Sequence, residues 1–494
     1  MKNTVKSRAK RKKARRVVKY IYGHNQDVLH ESSGNALLDF FSKAGSLRSN
    51  KDATSYYGSE TTALELFKKS WDENSTKAMK LLFWLRDRSN GAGNRSGFRD
   101  CIRWLAENHS EWVKANLSLI PFYGRWDDLT ALHMTDVGES ASELWANAIK
   151  DEKHPSHILA CKWAKKHFVS LQEALDTDEA GLRKLLSSRS EHIVESKMCS
   201  GKWNEVDYKT IPSVAMSRYT NAFVKKDPVG WAKYKKSLEK AEDVSELIHA
   251  DVLFPYNCLV TARNGDRAIA DAQFQALPNF MEKSKYRIMS ICDFSGSMDG
   301  AEVSKGITNL DVCRSLGMYC SDRLGKDNPF YRKFLEFSDD YELIDWSHKK
   351  FSNAVNCGNG NVASTNIEKA LNGLLSMAKM FKVSKNHMPN VLLILSDMQF
   401  DQGTQNCEKT VVDACMGNWK KEGYDVPNII YWNLAGYVGS PSKNKADVAL
   451  VSGFSPSVLR SVLDGEDFSP MAIMNRTIEK YKIKVPKKKY CKKD

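Results

Sequence analysis

The sequence predicts two fold classes in series: an all-α array of stacked helices, then an α/β domain on a mostly parallel sheet. Three observations carry this. Apolar residues recur at helical spacing through the first 285 residues, and no strand-like alternation of useful length interrupts them. From Tyr286 the pattern changes to short, wholly apolar runs separated by helical stretches, as expected of strands buried on both faces. Two of those runs, 286–292 and 390–395, each stop at or just before an aspartate.

At 494 residues the chain is long enough for two or three domains with cores of their own. It is 42% hydrophobic and 27% charged, with no run of 18 or more apolar residues, which is the composition of a soluble chain without a membrane span. The basic start has no apolar core behind it, so no secretory signal is expected. Eleven scattered cysteines without a CxxC pair read as buried thiols of a reducing compartment, so the cytoplasm is the expected location.

The net charge of +14 sits at the ends. Residues 1–30 carry +9 and residues 482–494 carry +6, which leaves the body between them at −1. Residues 1–30 are expected to be a basic flexible arm and 482–494 a basic tail. The dense run from Lys10 to Arg16 suits nucleic-acid contact or a nuclear import signal as well as a solvated end.

Residues 31–285 are expected to form the helical domain. Ala63, Leu66 and Phe67 mark one helix, and Met79, Leu82 and Phe83 a second. Phe98, Cys101, Ile102 and Leu105 recur at i, i+3, i+4 and i+7. Stretches 141–149, 158–168 and 182–194 continue the pattern, and many helices of ordinary length without a heptad argue for a stacked repeat array. Two turns stand out. Residues 86–99 hold four arginines and three glycines, which suits phosphate contact, or bracing by Asp87 and Asp100. In residues 121–129, Trp126 and Leu129 are expected to pack, with Asp127 or Asp128 capping the next helix. Residues 201–236 interleave aromatic and basic side chains, a pattern shared by single-strand RNA readers and by packed helices with snorkelling lysines.

Residues 286–481 are expected to form the α/β domain. Strands are predicted at 286–292, 330–337, 341–346, 390–395, 428–434 and 448–453, with helices near 311–324, 366–381 and 404–422 and two more closing the chain. Ligand sites in such sheets lie off the strand C-termini. There Asp293, Ser295 and Ser297 offer one carboxylate and two hydroxyls at alternating positions. Hard oxygen donors suit Mg²⁺ or Mn²⁺, with Thr365 and Asp397 as further ligands from later loops. The bland reading is a capped βα turn whose serines satisfy helix N–H groups.

The DxSxS stretch followed by a threonine and a second aspartate resembles the metal-ion-dependent adhesion site of a von Willebrand factor A domain. A helical array followed by such a domain resembles the Ro autoantigen, or TROVE, family, nearest to a plant and viral branch. The residues carrying this likeness are Ser33 to Phe41, Trp84 to Arg88, Tyr123 to Asp128, Ile211 to Met216, Asp293 to Met298 and Leu395 to Asp397. The resemblance implies a HEAT-like array joined to a Rossmann-like α/β domain. It implies a non-catalytic scaffold for small structured or misfolded noncoding RNA, with Arg86, Arg95, Arg99, Lys162, Lys165 and Lys166 as RNA contacts. It also implies a divalent metal that accepts a carboxylate from a protein partner, in a chain expected to be a monomer. The near-neutral body departs from the basic character of such RNA rings. A metal-dependent protein adaptor without physiological RNA is therefore the alternative, and a metal-dependent hydrolase a third reading. No P-loop, HExxH or nucleophile–base arrangement appears.

Overall fold

The computed structural model describes residues 20–22, 28–30, 32–47, 62–164, 168–189, 194–282, 284–300, 302–304, 306–358, 364–401, 411–436, 440–442, 447–464 and 467–487. Two short strands, β1 (Tyr20–Tyr22) and β2 (Val28–His30), pair as an antiparallel hairpin. They lie within the segment expected to be a flexible arm. His30 continues the pairing onto Ser440, each backbone N–H donating to the other's carbonyl at 3.0 and 2.8 Å.

The array follows. Its first helices are α1 (Ala36–Lys43), α2 (Ala63–Glu73), α3 (Ser75–Arg86) and α4 (Arg95–Asn108). Local chemistry starts each one. Asn35, Asn74 and Asn94 accept from backbone N–H groups of the first turns, and Thr62 with Glu65 forms a capping box. Next come α5 (Ser110–Ala115), α6 (Leu119–Tyr123), α7 (Gly138–Lys150), α8 (His157–Trp163), α9 (Val169–Ala174) and α10 (Glu179–Arg189). The helix expected over 158–168 ends early, where Ala164 turns extended at ψ 129.

A smaller core of its own holds α11 (Val194–Cys199), α12 (Ser213–Lys226) and α13 (Pro228–Lys240) together. Tyr208, Phe223, Trp231 and Tyr234 are buried there against one another, with Tyr208 and Tyr234 stacked at 5.4 Å. The aromatic half of the interleaved stretch is therefore packing. Two last helices, α14 (Pro255–Arg263) and α15 (Arg267–Ala276), lead back to the main core.

The α/β domain opens with β3 (Ile288–Asp293), a short helix α16 (Gly296–Gly300) and a hairpin of β4 (Glu302–Ser304) and β5 (Ile307–Thr308). The hairpin is too short to leave a sequence signal. Then come α17 (Asn309–Asp322), β6 (Lys333–Phe337), β7 (Tyr341–Asp345), α18 (Phe351–Ala354) and α19 (Ile367–Met380). The rest is β8 (Val391–Ser396), α20 (Val411–Lys421), β9 (Asn428–Asn433), β10 (Val448–Ser452), α21 (Val458–Leu463) and α22 (Pro470–Glu479). The six-stranded sheet runs β10-β9-β8-β3-β6-β7, parallel except for the antiparallel edge strand β7. Every residue of β3, β8 and β10 is buried, which accounts for their uninterrupted apolar runs. Gly317 lets α17 lie directly on β3, because a Cβ there would collide with Cys292 Sγ.

Array and sheet share one hydrophobic core, and the chain forms a closed circuit. At one end α1 sits on the C-terminal ends of β9 and β10. Ser46 Oγ donates to Asn433 O at 2.5 Å, Ser452 Oγ donates to Phe41 O at 2.8 Å, and Gly453 N donates to Ser46 Oγ at 2.9 Å. At the other end α14 and α15 return to pack on α17 and α18, where Phe274 stacks on Phe351 at 4.0 Å. Residues 482–487, expected to belong to a free tail, instead dock on the array. Lys484 exchanges two hydrogen bonds with the Asn116 side chain, at 2.7 and 2.8 Å. Residues 488–494 lie outside the described residues. Among the described residues no helix is long and apolar enough to cross a membrane.

Candidate functional site

The sheet brings two aspartates to one place. β3 and β8 are parallel neighbours with Cys292 opposite Leu395, so Asp293 at the end of one meets Ser396-Asp397 at the end of the other. Both carboxylates are fully buried. Asp293 Oδ1 accepts from Ser295 N at 3.0 Å, and its Oδ2 accepts from Ser396 Oγ at 2.5 Å. Asp397 Oδ1 accepts from Gln399 N at 3.0 Å. Between them Met398 takes a left-handed backbone, φ 66°, a conformation disfavoured for a side chain with a Cβ. Its N–H donates to Ser396 Oγ at 2.9 Å. Ser396 thus ties the two loops, a role its place beside Asp397 did not reveal.

The hydroxyls gather at the same end of the sheet. Ser295 Oγ and Ser297 Oγ lie 3.3 Å apart. Thr365 is buried, and its carbonyl accepts from Asp401 N at 3.0 Å, tying its loop to the segment that follows Asp397. The neighbouring Asn366 N donates to Ser338 O at 2.9 Å, just beyond β6.

Burial, and then the charge of Asp397, pushes the Asp293 carboxyl up to about 7. Two adjacent buried carboxylates repel each other and have lost their water, an arrangement that a cation would reverse. Among the described residues no three His, Cys, Asp or Glu side chains cluster with metal-ligating geometry. A cation here would be held by two carboxylates and the hydroxyls around them. That donor set fits a hard divalent ion such as Mg²⁺ or Mn²⁺ and not a soft one.

The basic candidates are placed differently. Arg86 is buried, and its Nε donates to Asp128 Oδ2 at 2.7 Å. Arg99 Nε lies 2.8 Å from Asp128 Oδ1, and Arg99 Nη2 lies 3.1 Å from Asp127 Oδ2. Arg125 Nη2 meets Asp127 Oδ2 at 2.7 Å and stacks its guanidinium 3.7 Å from the Trp163 ring. The two unusual turns thus brace one another through Asp127 and Asp128. Asp87 instead accepts from Ser89 N, Asn90 N and Tyr481 Oη. Arg86 is only 3% exposed, with its Nε committed to Asp128. Arg95 is exposed beside these arginines. Lys162 is half-buried, 3.2 Å from Glu195. Lys165 and Lys166 lie outside the described residues.

Exposed positive charge concentrates elsewhere. Along α12, Arg218 and Lys225 follow each other on the exposed face, and along α13 so do Lys233, Lys236 and Lys240. Lys225 and Lys226 close the last turn of α12, where the helix dipole favours cations.

The family model described as a domain of unknown function (DUF2828) matches residues 23–137 and 146–288, more than half of the chain. A second, also described as a domain of unknown function (DUF7788), matches residues 287–493. The two meet where β3 begins. Uncharacterized protein L728 of Acanthamoeba polyphaga mimivirus is 22% identical over 526 residues, covering 93% of this chain and 87% of that protein. The crystal structure of the Deinococcus radiodurans Ro (RSR) protein aligns with a TM-score of 0.49 and 12% identity, over 91% of this chain and 100% of that one.

Proposed function

The chain belongs to the DUF2828 family, and from that premise we propose that it is a non-catalytic RNA-binding scaffold with a divalent-cation site in its α/β domain. The observation that carries the reading is the meeting of two fully buried carboxylates, Asp293 and Asp397, on adjacent parallel strands. Asp293, Ser295, Ser297, Thr365 and Asp397 hold Mg²⁺ or Mn²⁺, directly or through water. The bound ion supplies a positive centre for a carboxylate of an acidic protein partner. The protein's own contribution is positional: Ser396 fixes Asp293, the Met398 turn fixes Asp397, and burial excludes competing water.

RNA is held through phosphates, with little base readout. The exposed rows of α12 and α13 are its best-supported seat, because their cations are not consumed by buried acids as Arg86 and Arg99 are. Those consumed arginines favour the second reading, a protein adaptor without physiological RNA.

Filter binding of labelled single-stranded RNA across a salt series separates the two. The scaffold predicts affinity that falls steeply with salt and persists in EDTA. It also predicts that changing Lys225, Lys226, Lys233 and Lys236 to alanine flattens the slope of log K against log salt by up to about 2.8, at roughly 0.7 per phosphate contact. RNA binding that is absent, or indifferent to these four lysines, would sink the RNA seat and leave the adaptor.

A further inference from the structure

One lysine of α1 shares a recess with the Met398 turn that follows Asp397. Lys43, in the last turn of α1, is only 6% exposed. Among the described residues its Nζ makes no hydrogen bond and no ion pair. The acid nearest along its helix, Asp39, is committed elsewhere, accepting from Ser32 Oγ and Ser33 N at 2.5 and 2.9 Å. Burial lowers the Lys43 pKa, the charge of Asp39 offsets part of that, and Lys69 on α2 adds a smaller lowering.

Lys43 lines a narrow recess between α1 and the strand ends of the sheet. Ser42, Met398, Tyr431, Asn433 and Ser440 complete its walls. A second donor is available. Asn433 Oδ1 accepts from Ala435 N and Gly436 N at 3.0 and 2.7 Å, so the amide orientation is fixed. Its Nδ2 is therefore a donor, and it makes no hydrogen bond among the described residues. Inside, the recess holds little more than one water-sized group, so only the tip of a ligand enters.

We propose that this recess is an anion subsite, in which Lys43 and Asn433 receive one oxygen of a carboxylate or phosphate presented from its mouth. A charge-assisted hydrogen bond from the ammonium supplies the affinity, and the carboxamide sets the direction. The subsite is separate from the cation site and does not depend on it. The Met398 turn lies between the two.

Calorimetric titration of the full chain with sodium phosphate, and separately with sodium acetate, tests it in EDTA at constant ionic strength. Wild type binds at least one of them saturably, and the one bound identifies the source of the oxyanion. K43M and K43Q weaken that binding by about tenfold or more, while both variants stay folded, with a cooperative melt in anion-free buffer. D397N leaves the anion affinity unchanged, which separates this subsite from the proposed cation site. No saturable binding of either anion by wild type, or equal binding by K43M and K43Q, overturns the proposal.

Discussion

Two clusters of buried charge in this molecule are built on opposite terms. In the array, Arg86, Arg99 and Arg125 close around Asp127 and Asp128, so both acids of that cluster face guanidinium groups of the same chain. In the α/β domain, Asp293 and Asp397 face each other, with hydroxyls and backbone N–H groups around them. The first cluster is electrostatically complete and holds two turns together. In the second, two carboxylates stand close enough for the charge of one to raise the pKa of the other. Burial alone says nothing about function; the sign of the charges brought together does.

The largest effect that would break this contrast is on the array side. Asp128→Ala leaves Arg86 and Arg99 without their shared carboxylate and is expected to cost about 3–5 kcal/mol in chemical denaturation. A loss under 1 kcal/mol would mean the arginines find other acceptors and the cluster is not a brace. The α/β side should show the reverse sensitivity to pH. The folded carboxyl of Asp293 is raised above its unfolded value near 4, so the folded state holds the proton more tightly between about 4 and 7. In EDTA, stability is therefore fullest below pH 4 and falls by about 3 kcal/mol as pH rises towards 7 from this group. A D293N variant loses that component. If the slope is the same in wild type and D293N, the repulsion is not there.

Mg²⁺ should act in the same pH range with opposite sign. At a hundredfold excess over its dissociation constant it stabilises by about 2.7 kcal/mol, more at pH 8 than at pH 5, and D397N abolishes the gain. A melting temperature indifferent to Mg²⁺, Mn²⁺ and EDTA at pH 8 would leave the capped turn as the better account. The smallest effect is a control on the surface. Arg183 and Glu179, exposed on α10, form an i,i+4 pair, and Arg183→Ala is expected to change stability by no more than about 0.5 kcal/mol.

Much of the α/β domain was legible because its strands are buried on both faces. The runs ending at Asp293 and Ser396 admit no polar face, and each predicted strand falls within a few residues of its place. The convergence of Asp293 and Asp397 follows from that topology, since parallel neighbours end on the same side. The partners of Arg86 and Arg99 were not legible. Reading locally suggested Asp87 and Asp100, whereas helix packing delivers Asp127 and Asp128 from the following turn. The aromatic residues from Tyr208 to Tyr234 were equally ambiguous, because composition does not reveal which side of a helix faces inward. Lys43 escaped notice for a related reason. Its burial depends on strands almost four hundred residues away, and nothing nearby in the sequence marks it.

The circuit formed by array and sheet bears on how the protein responds to proteases. In a linear string of helices, a cut releases the part beyond it. Here both fragments keep a hold on the sheet, one through α1 and the other through α14 and α15. A protease that nicks the exposed turn at Gly201 should give two bands on a denaturing gel and one unchanged peak on a sizing column. The molecule would stay whole although its chain is broken.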